Sequence, residues 1–333
     1  MKKKRKRSKD KPKTLHQQAY DRLLGKLRTG ESKRKAREKG EDKKYIYSFS
    51  TFKSYLKHSN YFMRYVHKTY PECINIDDAK QYVNEWLELR TNEGKSAWTL
   101  HLESKALGKL YDISEEDEDY FKPKQRNRVD IIRSRKKCSS DVLFNEETHK
   151  EFVDFCKGTG LRRRELKELK GGMVVDSRTI EKEILNYKNA PRDESTNNHL
   201  RALRDTRLFN ETYFVHVASG AKGGRERYSP IIGKHSSEII SRIQNKAHKE
   251  KVFEAVFDYA DIHSYRAVYA TNIYNLYKRD IDWLIANKQE GDLYYCRKDE
   301  KGKVCDKKAM LRCSKALGHN RLQIVAENYI RGI

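Results

Sequence analysis

Between residues 50 and 111 apolar side chains recur at three- and four-residue spacing, and that period confines this stretch to amphipathic helices. Phe52, Tyr55, Leu56, Phe62, Met63 and Val66 form one stripe, with Lys53, Lys57, Arg64 and Lys68 between them. A second helix is expected after Asp77, read as its N-cap, carrying Ala79, Tyr82, Val83, Trp86 and Leu87 and ending near Gly94. A third starts at Ser96 and shows Leu100, Ala106, Leu107 and Leu110. Helices with one apolar face cannot bury it alone, so three or four of them are expected to pack as a small bundle over residues 45–113.

The flanks of this bundle are dominated by charge. Residues 1–44 are rich in Lys and Arg, with a modest apolar pattern at Tyr20, Leu23, Leu24 and Leu27. They read as a basic N-terminal arm, either a solvated tail or a segment lying on phosphates. Its opening KKKRKR also has the composition of a nuclear localisation signal. The acidic run SEEDEDY (114–120), then Pro123 and a basic stretch to Lys137, lacks apolar periodicity and reads as a linker over 114–140. The basic half would touch nucleic acid and the acidic half avoid it. Residues 141–333 return to mixed helix and strand, with Val215, Val217, Ile231 and Ile232 flanking a Gly-rich turn as a hairpin.

Across all 333 residues, 72 Lys and Arg face 48 Asp and Glu, a formal charge of +24 that makes a polyanion the natural partner. No run approaches the ~20 apolar residues of a membrane helix, and the N-terminus stays charged where a secretory signal turns apolar. Six cysteines (Cys73, Cys138, Cys156, Cys296, Cys305, Cys313) form no C-x-x-C pair, which points to free thiols in a reducing, cytoplasmic setting. Cys296, Cys305 and Cys313 lie close in sequence but match no zinc spacing, so they are taken as ordinary cysteines.

Four short segments of the C-terminal half carry chemistry. In GTGLRRREL (158–166) a glycine turn opens a helix and presents Arg162 near its start, where a guanidinium can make paired hydrogen bonds to a phosphate. VASGAKGGRERYSPI (217–231) reads as strand, turn, strand with Lys222 in the turn, placed to protonate a leaving alkoxide. In DIHSYRAVYATNIY (261–274), His263 and Arg266 are three apart and on a helix would share a face. With Arg162 they would make a two-arginine clamp that neutralises a phosphorane-like transition state without a metal. KALGHNRLQIVAENYI (315–330) places His319 after a Leu-Gly turn and Tyr329 ten residues on. A phenol of pKa about 10 is a poor nucleophile unless positive groups stabilise its phenolate.

The ordered set Arg, Lys, His-x-x-Arg, Leu-Gly-His and Tyr, following a small helical domain, resembles the tyrosine recombinases, the phage-integrase family of site-specific recombinases. By that resemblance the catalytic residues are Arg162, Lys222, His263, Arg266, His319 and Tyr329, with Glu165 matching the family's acidic residue three positions after the first arginine. The implied fold is mainly α with a small antiparallel β-sheet: a helical core-binding (SAM-like) domain over 45–113 and a mixed α+β catalytic domain over 141–333. The sequence departs from the family in three places. An apparent insertion spans 175–212, a second reads as an extra hairpin at 292–310 turning at Lys301 and Gly302, and only four residues follow Tyr329.

The resemblance implies a recombinase or integrase of a mobile element that cuts and rejoins DNA through a covalent 3'-phosphotyrosine. The two domains would clamp double-stranded DNA, and recombination would engage a homotetramer on two DNA sites. His263 would take the phenol proton and Lys222 would protonate the departing 5'-oxygen. Glu165 would orient Arg162 or a neighbour. Because the tyrosyl link stores the phosphodiester energy, no cofactor or metal is expected, and the place of action would be the nucleoid. The rivals are a type IB topoisomerase with the same residue set and a DNA-binding regulator on the same scaffold without catalysis. An RNA-binding role is weakest, for want of an aromatic RNP-type segment.

Overall fold

The computed structural model describes residues 12–118, 120, 122–127, 144–187, 193–218, 225–297 and 301–330. The chain divides into two units, Met1–Asp130 and Ile131–Ile333. No described helix is long and apolar enough to cross a membrane.

The regular elements described in the first unit are helices. Thr14 and Gln17 form a reciprocal capping box that starts α1 (Leu15–Gly25), and Ser32 caps the short α2 (Lys33–Glu38). Ser48 caps α3 (Phe49–Thr69), whose Phe52, Phe62, Met63 and Val66 are buried as the period requires. α4 (Val83–Asn92) and α5 (Ala97–Tyr111) follow, the latter capped by Ser96. Two features differ from the sequence reading. Leu15, Ala19 and Leu23 of α1 lie at four-residue spacing and are buried in the same core as α3, so residues 15–25 belong to the bundle and not to a solvated arm. Leu27 and Ile46 then form a parallel bridge, with Ile46 donating to Lys26 O at 2.9 Å and accepting from Arg28 at 2.8 Å. Between Leu15 and Gly25 only Asp21 and Arg22 are charged, and the Lys and Arg that dominate the composition flank this stretch, which is why composition hides the helix. Residues 1–11, with the KKKRKR run, lie outside the described residues.

The second difference concerns Asp77. Both its carboxylate oxygens accept from Arg22 of α1, at 2.7 and 2.9 Å, so it makes no side-chain cap. Residues Asp78–Tyr82 accordingly run as a 3-10 turn, and the α-helix begins only at Val83. Of the expected linker, the acidic residues pair locally: Glu115 with Lys105 at 2.9 Å and Glu116 with Lys43. Residues 128–143, including Cys138 and most of the basic half, lie outside the described residues.

The second unit begins with α6 (Lys150–Thr159), α7 (Arg163–Glu168) and β1 (Val174–Asp176). Two helices, α8 (Ser177–Asn186) and α9 (Glu194–Asp205), fill the apparent 175–212 insertion. The expected hairpin forms from β2 (Tyr213–Val217) and β3 (Arg227–Pro230), paired antiparallel with Val217 opposite Arg227, and β1 adds a third antiparallel strand with Val174 opposite Val215. Next come α10 (Ser236–Gln244), α11 (Ile262–Tyr277) and α12 (Ile281–Ala286). The second expected hairpin forms β4 (Leu293–Tyr295) and β5 (Val304–Asp306), with Gly302 at φ +98°. Gly302 thus holds the left-handed conformation a tight turn needs. α13 (Lys307–Leu317) and α14 (Leu322–Asn328) complete the unit. The fold is therefore mainly α with two small antiparallel sheets.

Two apolar clusters flank the three-stranded sheet, because successive strand residues point to opposite faces. Phe214 and Tyr228 enter one with Tyr269, Met310 and Leu317, while Val215 and Val217 enter the other with Phe155, Leu166 and Ile243. α11 passes from one to the other: its Ile262 and Tyr265 belong to the second cluster, and Tyr269, Ala270 and Ile273 to the first. Arg266 falls at the crossing and is wholly buried. Five cysteines are described, all buried, and the sulfurs of Cys296 and Cys305 lie 3.9 Å apart.

Candidate active site

Backbone turns bring the arginines together. Gly160 ends α6 at φ +61°, and a Cβ there would lie 2.2 Å from the Tyr269 ring, so only glycine allows the chain to turn against α11. The turn delivers Arg162 to the N-cap position of α7. Gly318 ends α13 at φ +70° and packs on Arg227, whose Cδ would stand 3.0 Å from an added Cβ.

The carbonyls exposed at these two helix ends become hydrogen-bond acceptors. Arg266 donates through Nη1 to Gly160 O and through Nη2 to Leu317 O. Arg162 Nη2 also reaches Leu317 O, at 3.2 Å, so the two guanidiniums meet on one carbonyl. Arg227 Nε donates to Ala316 O at 3.0 Å.

Glu165 stands at the centre, 3% exposed. Its Oε1 accepts from Arg162 Nη1 at 2.7 Å and Arg227 Nη1 at 3.0 Å, and its Oε2 from Arg227 Nη2 at 2.7 Å and the Arg162 backbone N–H at 2.8 Å. Burial alone would raise its pKa; the charge and hydrogen bonds of Arg227, then the charges of Arg266 and Arg162, outweigh that and hold it at about 2. The pKa of Arg266 is pushed down to about 10, by burial first and then by the like charges of Arg227 and Arg162, with Tyr329 and Glu165 opposing. Its Nε has no hydrogen-bond partner among the described residues.

Tyr329 lies at the end of α14, its amide bonded to Val325 O at 3.0 Å and its carbonyl accepting from Thr271 Oγ1 at 3.3 Å. Its ring centre is 5.5 Å from the Arg266 guanidinium and 5.2 Å from the His319 ring. His319 follows the Gly318 turn and is fixed through its backbone: its amide bonds Ser314 O at 2.7 Å and its carbonyl accepts from Ser314 Oγ at 2.9 Å.

His263 sits in the first turn of α11, exposed, while Arg266 one turn later is buried, so the two do not share an environment as a common helix face would suggest. The pKa of His263 lies below its usual 6.5, lowered by desolvation and then by Arg266, Arg162 and Arg163, with Asp261 opposing, so the ring is neutral near pH 7.

The structure thus brings together Arg162, Glu165, Arg266, His319 and Tyr329, with His263 within the field of the arginines. Lys222 lies outside the described residues. Arg227, which sequence reasoning passed over, is the strongest partner of Glu165. The available signal was an arginine opening the short strand Arg227–Pro230, a weak one in a chain with 72 Lys and Arg. Arg163 is structural: it donates to Phe257 O and, at 2.6 Å, to Ala260 O, bracing the loop before α11.

No family model and no curated protein matches this chain. Among solved structures it is similar to the crystal structure of XerA recombinase, at 14% identity over 95% of this chain and 94% of that one, with a TM-score of 0.29. It is also similar to the Tn1549 transposon integrase in complex with transposon right end DNA, at 12% identity over 96% of each chain, with a TM-score of 0.32. At those scores neither likeness bears on what this chain does.

Proposed function

We propose that the protein is a DNA strand transferase, a tyrosine-type site-specific recombinase that cuts and rejoins double-stranded DNA through a 3'-phosphotyrosine. One observation carries this: the guanidiniums of Arg162 and Arg227 meet on the single carboxylate of Glu165, and that of Arg266, sharing the Leu317 carbonyl with Arg162, stands next to the Tyr329 ring. Three positive charges against one negative leave an excess of two, held in a site where Arg266 is fully buried. Such an excess is costly to bury unless an anion completes it, and a phosphodiester gaining charge in its transition state is the anion that benefits most.

In this mechanism the Tyr329 phenol oxygen attacks phosphorus and its proton passes to neutral His263. The bond from phosphorus to the 5'-oxygen breaks, and Lys222 protonates the leaving alkoxide. Arg162 and Arg266 hold the non-bridging oxygens and His319 completes their hydrogen bonds. Glu165 acts through Arg162 and Arg227 as a positioning residue. Rejoining reverses the steps with a 5'-hydroxyl as nucleophile.

The test is covalent trapping. Wild-type protein incubated with nicked duplex fragments and run on denaturing gels should carry attached DNA, and sequencing that DNA would identify the target. Tyr329→Phe keeps the ring and should lose the attached species completely while folding and DNA affinity stay unchanged. Attachment that persists in Tyr329→Phe would move the nucleophile to another tyrosine. A wild type that never attaches would favour a non-catalytic DNA-binding regulator, and attachment with relaxation of supercoils at no preferred sequence would favour a topoisomerase.

A further inference from the structure

Away from the arginine cluster, α9 and the β2–β3 hairpin bring His199, His216 and Glu226 together, with one donor atom of each within 4.8 Å of the others. Glu226 Oε1 faces both rings, 2.7 Å from His199 Nδ1 and 2.5 Å from His216 Nε2. The other nitrogen of His199, Nε2, lies 2.9 Å from Glu183 Oε1 on α8. His216 is held flat against Tyr228, ring centres 4.5 Å apart and 6° from parallel. The side chains are 16, 27 and 20% exposed for His199, His216 and Glu226, shielded yet open to an entering ion.

Three potential ligand atoms thus converge from three segments: His199 Nδ1 and His216 Nε2 both face Glu226 Oε1, while the far nitrogen of His199 is held by Glu183. A proton on each facing nitrogen can join such a cluster, and a cation between Nδ1, Nε2 of His216 and Oε1 joins it in the protons' place, using all three atoms as ligands. Glu183 would then orient the ring of His199 from behind, the carboxylate–histidine–metal arrangement of protein zinc sites.

We propose that His199, His216 and Glu226 bind a divalent transition-metal ion of the zinc class, with Glu183 as the outer partner of His199. Two imidazole nitrogens and one carboxylate oxygen suit Zn2+, and a water can take the fourth position. Ligands of a tetrahedral ion stand about 3.3 Å apart, so Glu226 rotates slightly away from the rings on binding. The ion is structural. It ties the α8–α9 segment to the base of the hairpin that carries Lys222, since His216 and Glu226 lie on either side of the hairpin tip. The site stands whether or not the protein transfers DNA strands.

The test uses the full chain stripped with a chelator and titrated with Zn2+ at neutral pH against a chromophoric competitor. One equivalent should bind to wild type. His216→Gln and Glu226→Gln should each weaken it by more than the roughly 10–100-fold that loss of an outer hydrogen-bond partner costs. Glu183→Gln, which keeps all three ligands, should fall within that range and still bind one equivalent. Co2+ in place of zinc should show d–d bands without a thiolate charge-transfer band. Absence of binding in wild type, equal binding in the ligand variants, or a thiolate band placing the ion on cysteines would each overturn the assignment. Should the ligand variants misfold by circular dichroism, the Co2+ spectrum and Glu183→Gln decide it.

Discussion

Arg266, wholly buried on α11, holds its guanidinium 5.5 Å from the centre of the Tyr329 ring while both its terminal nitrogens are occupied by the carbonyls of Gly160 and Leu317. The charge next to the phenol is therefore locked in place by two helix ends from distant parts of the chain.

Arg266→Lys keeps the charge but loses the fork that reaches both carbonyls. Covalent complex formation should fall by roughly 10²–10³-fold, the usual effect of removing one preorganised donor. Overall DNA affinity, spread over many phosphates, should barely move. A filter-binding Kd beside a single-turnover gel assay separates the two effects, and a variant with near wild-type cleavage would remove Arg266 from the reaction.

Glu165→Gln leaves Arg162 and Arg227 without their shared anion, and Arg266 without its nearby counter-charge, and should cost about 3–5 kcal/mol. The effect depends on pH in a defined direction. The carboxyl sits at about 2 when folded against 4.5 unperturbed. Its stabilisation is therefore fully present above pH 4.5 and lost as pH falls from there toward 2. Urea midpoints of wild type and variant should converge over that window; a gap that stays constant would mean the carboxylate is not what holds the arginines.

His263, with its pKa below 6.5, stays neutral and able to accept a proton until the pH drops under that value. The acid limb of the rate of covalent attachment should accordingly fall below pH 6.5, and His263→Ala should abolish that limb along with most of the rate. An acid limb unchanged in His263→Ala would assign the base to another group.

Gly160→Ala meets the Tyr269 ring at 2.2 Å and forces a side chain into φ +61°. Both penalties act at once, and about 2–4 kcal/mol of stability should be lost. Because the turn also aims Arg162, residual folded protein should cleave poorly. Thermal unfolding followed by circular dichroism checks the first part.

Leu23→Ala probes the segment that charge alone would assign to a free arm. Leu23 is fully buried, so its truncation should cost about 2–5 kcal/mol, whereas a solvated tail would register nothing. In the same protein, if DNA engages on the order of ten phosphates, log K against log salt should fall with a slope near −9. A slope shallower than about −3 would be too little for binding along a duplex.

Much of the local structure was legible because its causes are local. Period and capping residues place α3 and α5, since Ser48 and Ser96 bond the amides three residues on whatever else the chain does. The Gly-rich and Lys-Gly turns likewise mark the hairpins that become β2–β3 and β4–β5. The motif order alone singles out Arg162, His263, Arg266, His319 and Tyr329. Asp77 shows where such reasoning stops: it has the residue type of a cap, but Arg22, 55 positions earlier, takes both oxygens. The same holds for Arg227, which in sequence is one more cation in a chain of charge +24 and in the fold meets Glu165 from 62 positions away. The histidines of the proposed metal site, on different elements, show no ligand spacing at all. Periodicity and caps follow from the hydrogen bonding and burial of neighbouring residues, so the sequence determines them by itself. Which buried charges find one another depends on how separate helices and strands pack, and only the tertiary structure decides that.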